Sequence, residues 1–179
     1  MRYNAYDYQV TAKDWVIHHT HCALFLDMGL GKSVITLTAI QQLMDSAEIF
    51  RTLMVAPKKV AESTWTDEAE KWDHLDLRIS KVMGTEKQRI RALGEEADIF
   101  VIGRDSFVWL VGYYNGELPF DMLVIDELTS FKTPRSKRFR AMRLVCGTFY
   151  RVVGLTGTPA PNGLIDLWAQ IYCLDQGVR

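Results

Sequence analysis

The chain has 179 residues, 48% apolar and 24% charged, which is typical of one folded globular domain and excludes a largely disordered chain. The net charge of −1 excludes a polycation, so any contact with nucleic acid needs a local basic patch. The apolar runs are too short to span a membrane and the polar, aromatic N-terminus is not a secretory signal. Isolated cysteines at 22, 146 and 173 favour buried, reduced thiols and a cytoplasmic location.

Short apolar segments alternate with segments in which apolar residues recur at helical spacing. The predicted strands are residues 22–26, 52–56, 98–102, 122–125 and 151–155. The predicted helices are residues 6–18, 32–44, 60–72, 86–96, 136–146 and 164–174. Near-continuous apolar strands that alternate with helices predict an α/β fold, with a mostly parallel sheet and helices on both faces. Because no repeat or linker interrupts the pattern, we expect a single domain over residues 1–179.

A glycine-rich loop with the sequence LDMGLGKS, residues 26–33, joins the first predicted strand to the next helix. This context suits a phosphate-binding loop, because glycines let backbone amides face phosphate oxygens and a helix N-terminus attracts anions. We expect Lys32 to reach the β- and γ-phosphates and Ser33 to place its hydroxyl on Mg²⁺. The nucleotide-binding residues predicted in this loop are Met28, Gly29, Leu30, Gly31, Lys32 and Ser33. Leu26 stands where the general pattern has glycine, and an ordinary glycine-rich turn before a helix is the alternative.

Two acids, Asp126 and Glu127, follow the predicted strand at 122–125. The carboxyl ends of parallel strands are where ligands bind in open α/β sheets. We expect Asp126 to hold Mg²⁺ and Glu127 to polarise or position the attacking water. An ordinary polar loop after a strand is the alternative, and the pairing of these acids with Lys32 argues against it.

Threonines follow the last predicted strand. The hydroxyls of Thr156 and Thr158 can bond to the acidic pair or to backbone across the strand ends. Asn162 and Gly163 can cap the following helix. Taken alone, the segment favours a well-capped turn between a strand and a helix.

Taken together, these motifs resemble the first RecA-like lobe of superfamily 2 helicases, and most closely the Swi/Snf-type DNA translocases and their phage and bacterial relatives. The resemblance extends from about residue 8 to about residue 174. It is carried by Tyr8-Gln9, DMGLGKS, VAPKKVAESTWTDEAEKW, VIGRDSF, VIDELTSFKTPRSKRFRAMR and LTGTPAPN. The departures are Asp7 in place of the usual proline before Tyr8-Gln9, a loose match over VIGRDSF, and Asp-Glu-Leu-Thr in place of Asp-Glu-Ala-His.

The resemblance implies a DNA-dependent ATPase that uses ATP and Mg²⁺, tracks along double-stranded DNA by backbone contacts and works inside a bacterial or phage-infected cell, where it could associate with the nucleoid. It implies that Gln9 contacts adenine and that Thr156, Gly157 and Thr158 couple hydrolysis to movement. The candidate DNA contacts are Lys58, Lys59, Arg104 and Lys132. The basic stretch at 132–143 is also compatible with a solvated helix face.

The resemblance also implies a second RecA-like lobe that supplies arginine fingers, and 179 residues are too few to hold both lobes. We therefore expect slow hydrolysis by this chain alone, since an arginine finger contributes roughly 10³–10⁵-fold to turnover. Whether the chain is one lobe of a longer protein or one subunit of a split motor stays open.

Two other functions are compatible with the loop and the acids. The chain could be a non-catalytic nucleotide-binding switch that assembles with a partner, or a small-molecule kinase, although no acceptor pocket or arginine-rich lid is evident. A histidine cluster at residues 18–21 lacks supporting metal ligands. Most of the five tryptophans lie at helical spacing with other apolar residues, so packing in the core is expected rather than stacking on bases.

Overall fold

The computed structural model describes residues 1–159 and 164–178. Its strands are β1 His21–Phe25, β2 Thr52–Ala56, β3 Ile79–Val82, β4 Ile99–Gly103, β5 Met122–Asp126 and β6 Arg151–Thr156. They form one sheet in the order β1-β6-β5-β2-β4-β3, and every neighbouring pair is parallel. The predicted α/β fold with a parallel sheet is therefore confirmed.

Helices connect these strands. The α-helices are α1 Asp7–His18, α2 Lys32–Asp45, α3 Trp65–Lys71, α4 Glu86–Leu93, α5 Phe107–Tyr113, α6 Lys137–Val145 and α7 Leu164–Asp175. A π-helical turn, Val60–Thr64, leads directly into α3, and two 3₁₀ turns cover Leu128–Phe131 and Cys146–Thr148.

The strands are buried on both faces because their side chains alternate between two cores. In β2, Leu53 and Val55 pack with α4, α5, α6 and α7, whereas Met54 packs with α1, α2 and α3. Helices on both faces were predicted, and the two cores show why the strands read as continuous apolar runs.

Two elements were not predicted from the sequence. Strand β3 has the sequence ISKV and lies at the sheet edge, where Ser80 is buried and Lys81 is exposed, so its apolar signal is short. Helix α5 is a seven-residue apolar segment, which periodicity alone cannot assign to a helix or a strand. The predicted helix at 60–72 begins with the π-helical turn rather than an α-helical one.

The expectation for the tryptophans was wrong for Trp15 and Trp168, which are half-exposed. The three cysteines are free and buried. The predicted cap at Asn162 and Gly163 lies outside the described residues. Across the residues that the structure does describe, helix length and apolar character fall short of what a membrane crossing requires.

Candidate nucleotide site and nucleic-acid interface

Three strand ends bring the predicted motifs to one edge of the sheet. Strand β6 lies between β1 and β5, with Phe25 beside Thr156 and Asp126 beside Leu155. The backbone N–H of Leu26 donates to the carbonyl of Thr156 (3.2 Å). The glycine-rich loop, the acids and the threonine turn are thus neighbours.

Gly157 lies against the glycine-rich loop. A Cβ at Gly157 would lie 3.4 Å from the carbonyl oxygen of Leu26, which is about van der Waals contact. The turn is also tied to α7, because the side-chain amide of Gln170 donates to the carbonyl of Pro159 (2.6 Å). The backbone N–H of Thr158 donates to the hydroxyl of Thr156 (3.1 Å).

The glycine-rich loop needs glycine at Gly29 and Gly31, where φ is +83° and +77°. Helix α2 starts at Lys32, immediately after Gly31, so its N-terminal amides and positive dipole end face the loop. The ammonium of Lys32 donates to the carbonyls of Leu26 (2.7 Å) and Asp27 (3.0 Å). Its charge is therefore held over the loop.

Gln9 is packed against the same loop and is only 7% exposed. Its side-chain amide donates to the carbonyl of Leu30 (3.4 Å), and its oxygen accepts from the backbone N–H of Tyr6 (3.1 Å). The hydroxyl of Tyr8 also donates to the carbonyl of Leu30 (3.2 Å). Two residues of α1 thus fix the position of the loop. Met28, by contrast, is 91% exposed.

Asp126 is largely buried at the end of β5. Burial raises the pKa of Asp126 to about 6, with Glu127 acting in the same direction, while the indole of Trp65 and the ammonium of Lys32 lower it. The Trp65 indole N–H donates to Oδ2 of Asp126 (3.0 Å). The strand register places the start of the glycine-rich loop and these acids on either side of β6.

Glu127 occupies a strained backbone position, with φ of +64°. Such positions cost about 1–3 kcal/mol and concentrate at functional sites. Its Oε1 accepts hydrogen bonds from the hydroxyls of Thr129 and Thr156, the latter at 3.0 Å. The predicted bond between the threonine turn and the acidic pair is therefore present, and it points the carboxylate toward the end of β6.

A cavity of about 570 Å³ opens beside the loop. Gly29, Gly31, Lys32 and Ser33 line one side, together with Gln9. The other walls come from two places that the sequence did not indicate as site residues: the segment before α1, which includes Tyr3 and Tyr6, and the end of α3, which includes Glu68, Lys71 and Trp72. The aromatic N-terminus and the tryptophan-bearing helix were visible in the sequence, but their convergence depends on the fold.

The candidate DNA contacts follow strands that end at the same edge. Lys58 and Lys59 come after β2 and are exposed, with Lys58 placed 3.9 Å from the Glu62 carboxylate. Arg104 comes after β4, and its guanidinium donates to the hydroxyl of Ser130 (2.8 Å). Lys132 directly follows the 3₁₀ turn Leu128–Phe131 that comes after Glu127. Because β5, β2 and β4 are adjacent, these cations lie along one rim next to the acids.

The chemistry of this edge fits a magnesium nucleotide. Mg²⁺ prefers oxygen ligands and is usually held by one or two carboxylates together with phosphate oxygens. Ser33 and Asp126 provide such oxygens, and Lys32 with the α2 N-terminus provides positive charge for phosphate. Over residues 1–159 and 164–178, no group of three or more His, Cys, Asp and Glu side chains is placed to hold a metal ion.

A parallel six-stranded sheet, with the loop, the acids and the threonine turn at one edge, defines a RecA-like α/β domain. The SNF2-related domain family matches this chain over residues 8–178. The chain belongs to the SNF2-related domain family. The resemblance to Swi/Snf-type proteins is thereby confirmed.

Relatives come from phage and from eukaryotes. Protein p41 of Acyrthosiphon pisum secondary endosymbiont phage 1 is 42% identical over 160 residues, covering 85% of this chain and 35% of that protein. The ISWI chromatin-remodeling complex ATPase CHR11 of Arabidopsis thaliana is 30% identical over 179 residues, covering 94% of this chain and 16% of that protein.

A solved structure, the Sulfolobus solfataricus SWI2/SNF2 ATPase core in complex with dsDNA, superposes with a TM-score of 0.82 at 26% identity. The superposition covers 98% of this chain and 36% of the archaeal one. The chain therefore spans about a third or less of these relatives, and it is homologous to their ATPase domains.

Proposed function

We propose that this chain is the ATP-binding lobe of a DNA-dependent ATPase of the translocase type. The carrying observation is that the strand register brings Lys32, Asp126 and Glu127 to one edge of the sheet. The loop and Gln9 line a cavity at this edge, and the acids do not line it. In this proposal Lys32 binds the β- and γ-phosphates, Ser33 and Asp126 hold Mg²⁺, and Gln9 contacts the base. Bound Mg²⁺ neutralises charge that develops on the phosphates.

Glu127 positions the water that attacks the terminal phosphate. Its hydrogen bonds from Thr129 and Thr156 fix the carboxylate at the end of β6. Thr156, Gly157 and Thr158 link this carboxylate to the phosphate loop, which supports the predicted role in coupling hydrolysis to movement.

Duplex DNA is the proposed track, bound through its phosphates by Lys58, Lys59, Arg104 and Lys132. Support comes from their common rim and from the archaeal relative, whose ATPase core was solved in complex with dsDNA. Backbone contacts of this kind position the duplex without reading its sequence. A second RecA-like lobe, in the same protein or in another chain, is proposed to complete the ATP site.

The DNA-binding part of the proposal is tested by the salt dependence of affinity. Neutralising Lys58 and Lys59 should weaken duplex binding and reduce the slope of log K against log salt by about one unit per lost phosphate contact. Arg91→Gln is the control, because Arg91 is exposed in the last turn of α4, outside the basic stretch at 132–143. An unchanged slope in the lysine variants would remove these residues from the interface.

Measuring ATP hydrolysis distinguishes an ATPase from a non-catalytic nucleotide-binding switch. Glu127→Gln should leave binding of Mg·ADP near the wild-type value and abolish turnover in the protein assembled with a second lobe. A variant that keeps the full activity of the assembled protein would favour the switch. Fluorescent ADP binding and phosphate release measure the two quantities separately.

A further inference from the structure

Trp65 connects the lysine segment to the acidic pair. The side chain is 1% exposed, and its indole N–H donates to Oδ2 of Asp126 at 3.0 Å. A buried indole N–H needs a partner, but many neutral acceptors would serve. Here the acceptor is the carboxylate that is proposed to hold Mg²⁺, and a bond to a charged acceptor is stronger and more directional than a neutral one.

The segment before Trp65 is the one proposed to contact DNA. The chain leaves β2 at Ala56, passes the exposed Lys58 and Lys59, and enters the π-helical turn Val60–Thr64. The backbone N–H of Ala61 donates to the carbonyl of Pro57 (2.9 Å), so the helical path is continuous from the strand end to Trp65. Single π-helical turns inside helices occur frequently at functional sites.

Helix α3 carries the connection further. Its C-terminal end contributes Glu68 and Lys71 to the wall of the nucleotide cavity, and Trp72 follows directly after it. The same helix therefore contacts the acidic pair at its first residue and the cavity at its last turn. A shift of the π-helical turn would therefore move both Trp65, which bonds to Asp126, and the part of the cavity wall that α3 forms.

Arg104 provides a second connection between the candidate DNA contacts and the acidic pair. Its guanidinium donates to the hydroxyl of Ser130, and the backbone N–H of Ser130 donates to the carbonyl of Glu127 (2.9 Å). The backbone N–H of Arg104 donates to the carbonyl of Ala56 (2.9 Å), where the lysine segment begins. The candidate DNA contacts after β2 and β4 are thus joined to each other and to both acids.

We propose that Trp65 is a positioning residue that couples duplex DNA bound at Lys58 and Lys59 to the orientation of Asp126. This inference rests on the proposed function and adds the residue through which the two ligands influence each other. Because Trp65 is enclosed by the core, its indole cannot follow a shift of the π-helical turn without moving its bond to Asp126. Coupling between two binding sites is reciprocal, so Mg·ADP must alter DNA affinity by the same factor.

The test measures the affinity for Mg·ADP with and without saturating duplex DNA, by calorimetry, in three proteins. The wild type is compared with Trp65→Phe, which removes the indole N–H. The control is Trp109→Phe, because the Trp109 indole donates to Glu86 (3.1 Å), a residue outside the site. Sites that are coupled typically change each other's affinity by roughly 5-fold or more.

The inference predicts that DNA changes Mg·ADP affinity by that factor in the wild type and in Trp109→Phe, and by less than about 2-fold in Trp65→Phe. Equal coupling in all three proteins, or no coupling in a wild type that binds both ligands, would overturn the inference. If the wild type does not bind Mg·ADP, or if Lys32→Ala binds it equally well, the proposed function fails instead.

A second measurement needs no variant at Trp65. The indole N–H resonance of Trp65, assigned by its contacts in the wild-type protein, is followed by nitrogen–proton NMR. We expect this resonance to move on addition of duplex DNA alone and again on addition of Mg·ADP, while the Trp109 resonance stays in place. A Trp65 resonance that does not move when DNA is bound at saturation would overturn the inference, even if Trp65→Phe did not fold.

Discussion

Replacing Gly31 with alanine is expected to destabilise the chain through two separable effects. The backbone of Gly31 has φ of +77°, a left-handed conformation that costs a residue with a side chain roughly 1–2 kcal/mol. The new Cβ would also lie 2.6 Å from the side-chain nitrogen of Gln9. Because Gln9 can rotate away, this second effect amounts to the loss of its hydrogen bonds, roughly 1 kcal/mol. The free energy of unfolding should therefore fall by about 2–3 kcal/mol.

Two glycines serve as matched controls. Gly29→Ala also places a side chain on a left-handed backbone, with φ of +83°, but no atom lies within 4 Å of the added Cβ. Its free energy of unfolding should therefore fall by only about 1–2 kcal/mol. Gly112→Ala meets no atom within 4 Å and lies inside α5, where alanine stabilises a helix by about 0.5–1 kcal/mol. Urea unfolding measures all three variants.

The contact with Gln9 is isolated by a double-mutant cycle. In a Gln9→Ala background, Gly31→Ala should cost only the backbone part and its 3.3 Å contact with the Val34 side chain, which gives a coupling energy of about 1 kcal/mol between positions 9 and 31. Additive effects, or a loss in Gly31→Ala no larger than in Gly29→Ala, would refute the reasoning. The same contact predicts that Gly31→Ala weakens ADP binding, because Gln9 is displaced from the cavity.

Three further outcomes follow from the site. Thr156→Val removes the bond to Glu127, so turnover in the protein assembled with a second lobe should fall about 10-fold while Mg·ADP affinity is kept; a parallel loss of affinity would contradict this role. Gly154→Ala places a Cβ 2.7 Å from the buried Leu128 and should lower stability by about 1–3 kcal/mol in urea unfolding, whereas unchanged stability would show that Leu128 repacks freely. Adding a second RecA-like lobe should raise ATP turnover roughly 10³–10⁵-fold, and fast turnover by this chain alone would argue against a missing arginine finger.

The sequence predicted the parts of the fold that local patterns encode. Strand β2 and the start of α2 at Lys32 were placed correctly, because an apolar run and a glycine followed by a helical pattern are local signals. Strand β3 was missed because an edge strand that alternates buried and exposed residues carries little apolar signal in four residues. Helix α5 was missed because a short apolar run does not distinguish a buried helix from a strand.

In the candidate site, too, local sequence motifs were predicted and features that depend on packing were not. The glycine-rich loop and the acids are sequence motifs, and the parallel sheet brings them together, as predicted. Trp65 and Trp72 were visible only as a tryptophan-bearing helix, since burial and the partner of an indole N–H depend on how distant segments pack. The left-handed backbone of Glu127 has no sequence signal at all, because a glutamate does not favour φ of +64°.

Binding of Mg·ADP to the wild type and to Lys32→Ala tests the central claim most directly. An ammonium that bonds to phosphates contributes enough for its loss to weaken binding by roughly 10-fold or more. We predict that the wild type binds Mg·ADP and that Lys32→Ala loses at least this factor, in protein shown to be folded by circular dichroism. Equal affinity in the two proteins would contradict the proposal that Lys32 and the acids share one nucleotide.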